Sequence, residues 1–382
     1  MAQFPIAMGT GSVDSAHREA PTRDVNTDQP LPDPVAEPVP APESLRFSGS
    51  GAEYFRIWIV NLALVIVTLG VYSAWAKVRR LQYFYRNTQL AGSGFDYHGK
   101  PAAILKGRII AFVLVGGANL AFNYSPVIGL VVFIPLGAVL PWLLVRSFKF
   151  RMQNTSWRGL RFGFRGTVAG SYKAFLLWPL LTVLTLGVLF PATYREFKAY
   201  QHGSSTFGHA PFSLDGTTKE FYKIFGKAFL FFVLGPVMVI ALFLAVMGVA
   251  GTRGSFRLDP LIAMALGLAI FAFYASLVSS GPYLAAQLQN HVWNATRLER
   301  HRFESKVRFR TLWWIVASNF VLTVLTVGLY RPFAVVRAAR YRIESMTFIP
   351  AEPLDRFVGQ RAREVDAVGE ELGEFLDIDI AL

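Results

Sequence analysis

Long apolar runs in this chain end three times in the same corner: Val67-Thr68-Leu69-Gly70-Val71-Tyr72, Leu184-Thr185-Leu186-Gly187-Val188-Leu189 and Leu325-Thr326-Val327-Gly328-Leu329-Tyr330. The spacing from Gly70 to Gly187 to Gly328 is far beyond the period of a stacked solenoid, and it suggests duplicated membrane units instead. Glycine after an apolar helix supplies the left-handed residue that stops it. Pro191 and Pro332 follow four residues after Gly187 and Gly328, where a new helix starts without losing a hydrogen bond; Ala74 takes that place in the first copy. Thr68, Thr185 and Thr326 are expected to hydrogen-bond to the preceding helical turn, the cheapest explanation for a threonine in lipid. Thr68, Gly70, Thr185, Gly187, Thr326 and Gly328 are therefore read as structural turns.

A bilayer core asks for about 20 apolar residues per helix. Seven stretches approach that: Tyr54 to Tyr72, Ile104 to Phe122, Val127 to Val145, Tyr172 to Phe190, Phe229 to Ala250, Leu261 to Val278 and Trp313 to Tyr330. The first, fourth and seventh end in the glycine corner. They are followed by basic segments carrying Lys77, Arg79 and Arg80; Arg195 and Lys198; and Arg331, Arg337 and Arg340, which suit amphipathic helices along the headgroups. If all seven stretches cross, basic loops fall on both faces. If the three corner segments dip in and return, nearly all basic loops share one face, in keeping with the positive-inside tendency. The sequence supports about seven segments without requiring seven crossings.

Composition agrees with a membrane chain: 53% hydrophobic and 16% charged residues, with 33 Phe and 8 Trp. The net charge of +13 conceals an asymmetry, because residues 1–44 and 351–382 hold 16 of the 25 acids but only 5 of the 38 bases. Residues 1–44, acidic and proline-rich, read as a disordered tail and not as a signal peptide. Residues 45–350 read as the multi-pass membrane domain and 351–382 as an acidic C-terminal tail. The excess of bases beside apolar runs points to the lipid bilayer and its anionic headgroups as partners; nucleic acid is the poorer reading. The chain has no cysteine, hence neither disulfides nor thiolate ligands.

Short stretches with alternating aromatics precede several apolar runs: Phe47-Ser48-Gly49, Phe95-Asp96-Tyr97-His98-Gly99, Phe162-Gly163-Phe164-Arg165-Gly166 and Phe212-Ser213-Leu214-Asp215-Gly216, with a weaker form at Phe303-Glu304-Ser305. Period two after turn residues predicts short hairpins or extended caps at the membrane surface.

Few side chains suggest chemistry. Asn61 and Asn319 lie within apolar runs, each nine residues before a corner glycine. Helix–helix hydrogen bonding is the plainer account, and contact with a solute in a midplane cavity is the functional one. Glu53 and Glu220 suit the first turn of a helix, where the macrodipole favours an acid. His98, Lys106 and Arg108 are candidates for an anionic headgroup or substrate clamp, with snorkelling as the ordinary reading of the long chains. The six histidines lack metal-ligand spacing, and phosphate-loop, nucleophile-elbow and dinucleotide motifs are missing from the chain. No catalytic, metal or cofactor residues are assigned, and the chain is not expected to be an enzyme.

From Glu53 to Arg108 the chain resembles the YjgN-like family of bacterial inner-membrane proteins, a family of unknown function. The resemblance rests on Glu53-Tyr54-Phe55-Arg56-Ile57-Trp58, on Thr68 through Arg79, on Tyr83-Phe84-Tyr85-Arg86-Asn87-Thr88 and on Phe95-Asp96-Tyr97-His98-Gly99. It implies a multi-pass protein of the bacterial cytoplasmic membrane and no particular reaction. The resulting expectation is an all-α polytopic membrane protein with extended caps and interfacial helices. Its function is either transport or a channel-like role for a small solute, or a non-transporting scaffold on anionic lipid.

Overall fold

The computed structural model describes residues 40–253 and 260–365. Most of both acidic ends, and residues 254–259 between the fifth and sixth apolar stretches, therefore lie outside the described residues. The short extended caps turn out to be the organising element. Strands β1 (Glu43–Ser44) and β2 (Arg46–Phe47) are two halves of one segment, interrupted at Leu45. Four hairpins follow: β3–β4 (Thr88–Leu90, Ser93–Tyr97), β5–β6 (Thr155–Trp157, Leu160–Phe164), β7–β8 (Ser205–Phe207, Ala210–Leu214) and β9–β10 (Thr296–Leu298, His301–Ser305). Strand β11 (Met346–Ile349) comes last. All pairings are antiparallel, in the order β1-β11-β10-β9-β8-β7-β6-β5-β4-β3-β2. Since β1 and β2 adjoin through Leu45, the sheet closes on itself. Closure removes the open edges that strands this short would otherwise expose. An all-α class is thus corrected: the chain is mostly helical, but its helices are mounted on a β-ring.

Five helical hairpins link the strands. The short ones are α1 (Gly51–Val67) with α2 (Ser73–Arg86); α5 (Val168–Tyr172), a π turn (Lys173–Leu177) and α6 (Trp178–Leu184) with α7 (Phe190–Gly203); and α10 (Phe309–Leu325) with α11 (Arg331–Glu344). The long ones are α3 (Pro101–Tyr124) with α4 (Pro126–Gln153) and α8 (Thr218–Arg253) with α9 (Pro260–Asn294). Starts are locally encoded. Ser50 Oγ accepts the Glu53 N–H at 3.2 Å, and Thr167 Oγ1 accepts that of Gly170 at 3.1 Å. Prolines open α3, α4, α7 and α11.

Length separates the two kinds of hairpin. Four helices, α3, α4, α8 and α9, are long and apolar enough to cross a membrane. A 17-residue helix such as α1 or α10 rises only about 25 Å, short of a hydrocarbon core of about 30 Å. Helices of spanning length are thus four among the described residues, and the corner segments are short helical hairpins. Their tips are strongly apolar and unprotected, with Leu69 and Leu186 each 95% exposed and Val327 92%. Side chains of this kind need lipid around them.

The tips explain why Thr and Gly recur together. At the first tip the N–H groups of residues 68, 69, 70, 71 and 73 donate to backbone carbonyls, and that of Tyr72 donates to Thr68 Oγ1 at 2.9 Å. Thr68 Oγ1 itself donates to Leu64 O at 2.7 Å. The same set recurs around Thr185 and Thr326. Every tip N–H is satisfied without water, which is what a turn in lipid requires. Threonine thus both bonds backward, as expected, and caps the next helix. One detail departs from the sequence reading. The left-handed residue that first stops the helix is Leu69, Leu186 or Val327, at φ 49°, 50° and 51°, and the glycine follows it at φ about 90°.

Replacing Gly187 by Leu tests this turn. A Cβ there meets nothing within 4 Å, so the penalty comes only from its φ of +89°. The variant should lose about 1–2 kcal/mol of stability and show lower membrane yield and Tm. Wild-type yield and Tm would count against the assignment. Single cysteines test placement in an otherwise cysteine-free chain. Leu69→Cys and Val327→Cys should resist a membrane-impermeant maleimide applied from either side, while Ser125→Cys, between α3 and α4, should react from the side opposite Gly92→Cys.

Candidate functional site

Period two along each strand sends alternate side chains into the ring. The first strands of the hairpins contribute Leu90, Trp157, Phe207 and Leu298, and β11 contributes Phe348, all buried. The return strands contribute Phe95, Phe162, Phe212 and Phe303, with Leu45 in the equivalent place beside β2. Four of these form a continuous aromatic girdle: Phe95–Phe162, Phe162–Phe212 and Phe212–Phe303 stack at 6.3, 6.4 and 6.2 Å between centroids. The register that aligns them comes from tight turns such as Arg158-Gly159, both at positive φ (48° and 82°), the conformation that suits the twist of a two-residue hairpin.

The girdle separates two spaces. On the hairpin-turn side lies an entirely apolar cavity of about 140 Å³, and Phe357 forms part of its wall. On the helix side lies a cavity of about 250 Å³ whose mostly apolar wall also carries Arg151, Thr155, Gln201, His202 and Ser205. Phe95, Phe162, Phe212 and Trp293 line both.

Phe357 belongs to α12, a helix over residues 354–365. The segment read as an acidic tail from 351 thus begins as part of the ring, and the strand at Glu43–Ser44 carries the ring past the expected boundary at 45. Phe357 is 1% exposed and meets His301 edge-on at 4.3 Å and Phe207 at 6.1 Å. Ion pairs tether α12 from outside: Arg158 to Asp355, and Arg361 to Glu299 at 2.7 Å. His301 Nδ1 accepts the Ala351 N–H at 2.9 Å, which requires that nitrogen to be unprotonated. Burial holds the His301 pKa below its ordinary value, opposed by Glu352 at 4.0 Å and assisted by Arg361. A base with a depressed folded pKa contributes stability above its unfolded pKa, near 6.5, and loses it as pH falls. Hydrogen exchange over 351–365 should therefore accelerate between pH 7 and pH 5, and a rate independent of pH after correction for intrinsic exchange would refute this latch.

The lining of this helix-side chamber holds Arg151 and no acid, and Lys198 of α7 lies close enough to feel the Arg151 charge. Lys198 Nζ lies over the Tyr194 and Phe197 rings at 5.7 and 5.2 Å and donates to Gln201 Oε1 at 3.1 Å. Burial first, and then the Arg151 charge, push its pKa below the lysine norm. His202 is pushed down to about 4, by burial and then by Lys198, and so stays neutral; its Nδ1 faces Thr296 Oγ1 at 3.1 Å. Since that hydroxyl donates to Val292 O at 2.7 Å, Nδ1 is the protonated nitrogen of His202.

The residues singled out in the sequence are dispersed. Asn61 and Asn319 are both buried. Asn319 joins α10 to α11, with Nδ2 donating to Ala334 O at 3.1 Å and Oδ1 accepting from Arg337 at 3.3 Å. Glu53 sits in the first turn of α1 and accepts from Tyr83 Oη at 3.4 Å; burial, then Glu53, push that phenol up to about 12. Glu220 pairs with His291 at 3.3 Å, and His98 Nε2 meets Ser156 Oγ at 2.8 Å on the ring. Lys106 is exposed on α3. Arg108 donates to Ser73 Oγ and shares a pocket with Asn61. The chamber residues Arg151 and His202, and the plug Phe357, were not singled out, and Lys198, read as facing the headgroups, instead packs on the Tyr194 and Phe197 rings. The aromatic girdle was legible, as a Phe recurring at one register after each hairpin turn.

Comparison with known proteins places residues 42–375 on the model of a family described as "Bacterial protein of unknown function (DUF898)". Among curated proteins the chain is similar to the inner membrane protein YjgN of Salmonella typhimurium, 24% identical over 334 residues covering 76% of this chain and 84% of that protein. It is also similar to YjgN of Escherichia coli O157:H7, 29% identical over 42% of this chain and 41% of the relative, and of Escherichia coli K12, 30% identical over the same shares. No solved structure matches.

Proposed function

Because the chain belongs to the DUF898 family of bacterial proteins, with relatives named as inner membrane proteins, we propose that it is a gated conduit for small anionic solutes, built from duplicated helix–hairpin units. It resides in the bacterial inner membrane as a multi-pass protein. The observation that carries the conduit reading is the stack along the ring: a chamber whose wall carries Arg151, an aromatic girdle and an apolar cavity stopped by Phe357. A girdle of this kind resists wetting and so closes a path without a mechanical door. Arg151 in the chamber lining, with Lys198 near it and no acid in that lining, draws anions and repels cations. Nothing in this reading calls for catalysis.

A scaffold on anionic lipid is the alternative, and it is favoured by the short lipid-seeking hairpins with basic residues beside their tips. Flux decides between the two. Proteoliposomes of the full chain should be tight to small organic anions and become leaky when Phe357 is replaced. Equal tightness of wild type and plug variants would leave the scaffold.

A further inference from the structure

Between α1, α2, α3 and the first turn of α11 lies an open pocket of about 580 Å³. Lys77, Arg80, Arg108 and Arg331 line it, and no carboxylate does. Arg108 is bonded to Ser73 Oγ, and among the described residues Lys77, Arg80 and Arg331 have no ion-pair partner. Burial, then Arg108, Arg151 and Arg80, push the Lys77 pKa down, as uncompensated positive charge does. The facing wall is apolar and carries Trp58, Leu62 and Val65 of α1.

Asn61 supplies a second, independent observation. It is 7% exposed, lines this pocket, and its Oδ1 has no hydrogen-bond partner. The matching Asn319 has its Oδ1 satisfied by Arg337, nine residues after Gly328. The residue nine after Gly70, Arg79, lies instead over the Tyr72 ring at 5.7 Å. A buried acceptor left open is costly and marks a place where a donor belongs.

We propose that this pocket binds a phosphate ester of a polyol, the phosphate among the four cations and a polyol hydroxyl donating to Asn61 Oδ1. Multiple cations suit a phosphate, and arginine offers it paired N–H groups. A donor carrying its own positive charge, such as an ammonium, is disfavoured beside four cations. If the ester carries acyl chains, these lie along Trp58, Leu62 and Val65. This deepens the anionic-lipid part of the reading above and is independent of conduction, because its test reads binding and not flux.

The full chain in a neutral detergent is titrated with dioleoylphosphatidylglycerol, dioleoylphosphatidylcholine and glycerol 3-phosphate, with binding followed by native mass spectrometry and Tm. Phosphatidylglycerol should bind at least about tenfold tighter than phosphatidylcholine, and the double variant Arg80→Gln/Arg331→Gln should lose about tenfold or more, the loss of one charge-assisted contact or more. Asn61→Leu should narrow the preference for the glycerol headgroup, whereas Asn319→Leu should leave it unchanged. Displacement of the lipid by glycerol 3-phosphate at similar concentration would assign the site to soluble esters; failure to displace it would assign the site to the lipid headgroup. On the unmodified protein, which removes any question of a misfolded variant, equal binding of the two lipids with no binding of glycerol 3-phosphate overturns the proposal. So does undiminished binding by a well-folded double variant.

Discussion

Phe357→Asp should open the ring and raise anion flux through proteoliposomes by about tenfold or more, the consequence of losing more than 1.4 kcal/mol of plug docking. Phe357 is the deepest side chain of α12, in contact with His301 and Phe207. Truncating a buried Phe costs about 3–5 kcal/mol, and placing a carboxylate in an apolar cavity adds a desolvation penalty. The tethers cannot hold the side chain at position 357 in the ring against that. Asp355, the partner of Arg158, is 93% exposed, and exposed pairs contribute about 0–1 kcal/mol. Arg361 is better shielded, with Glu299 and Glu364 both at 2.7 Å, so α12 should remain near the ring while its plug withdraws. Flux is read as release of an entrapped fluorescent anion, and α12 undocking as hydrogen exchange over 354–365. Rapid exchange with no gain in flux would show that the ring is a structural core and not a path.

Charge in the chamber should set which ions pass once the plug is out. In the Phe357→Asp background, Arg151→Glu combined with Lys198→Gln should lower the anion-to-cation permeability ratio by about tenfold or more, since each unit charge acting over several ångströms in a partly aqueous cavity is worth about 1 kcal/mol. Arg151 is exposed toward the chamber and makes only a 3.4 Å contact to Tyr85 Oη, so its reversal tests charge with little damage to packing. Lys198 is more enclosed, packed on two rings, and glutamine keeps its length and its hydrogen-bonding reach to Gln201. A reversal potential identical to that of the parent would exclude the chamber from the permeation path.

What could be read from the chain followed from how far each interaction reaches. The Thr-Leu/Val-Gly corner was legible because its hydrogen bonds span at most five residues, as in Gly70 N–H to Val65 O. The hairpins were legible as period-two aromatics after turn residues, and the acids Glu53 and Glu220 as first-turn residues. The segment count left the number of crossings open, because apolarity reports a preference for lipid and not crossing. Tyr54 to Tyr72 is apolar out to an exposed tip, although α1 ends at Val67 and is too short to span.

By itself, then, the sequence determined the local pieces: lipid-compatible tips, long apolar helices, hairpins with a Phe at constant register, and an excess of bases beside them. The tertiary structure alone decided that the hairpins close into a ring, through the pairing of Glu43 with Phe348. It also decided that Phe357 fills that ring, that Arg151 lines a chamber with Lys198 near it, and that Asn61, unlike Asn319, is left with an open acceptor beside four cations. The physical reason is that a strand edge, an apolar side chain and a charge each carry a local preference but no address; which partner satisfies them depends on segments brought together from opposite ends of the chain.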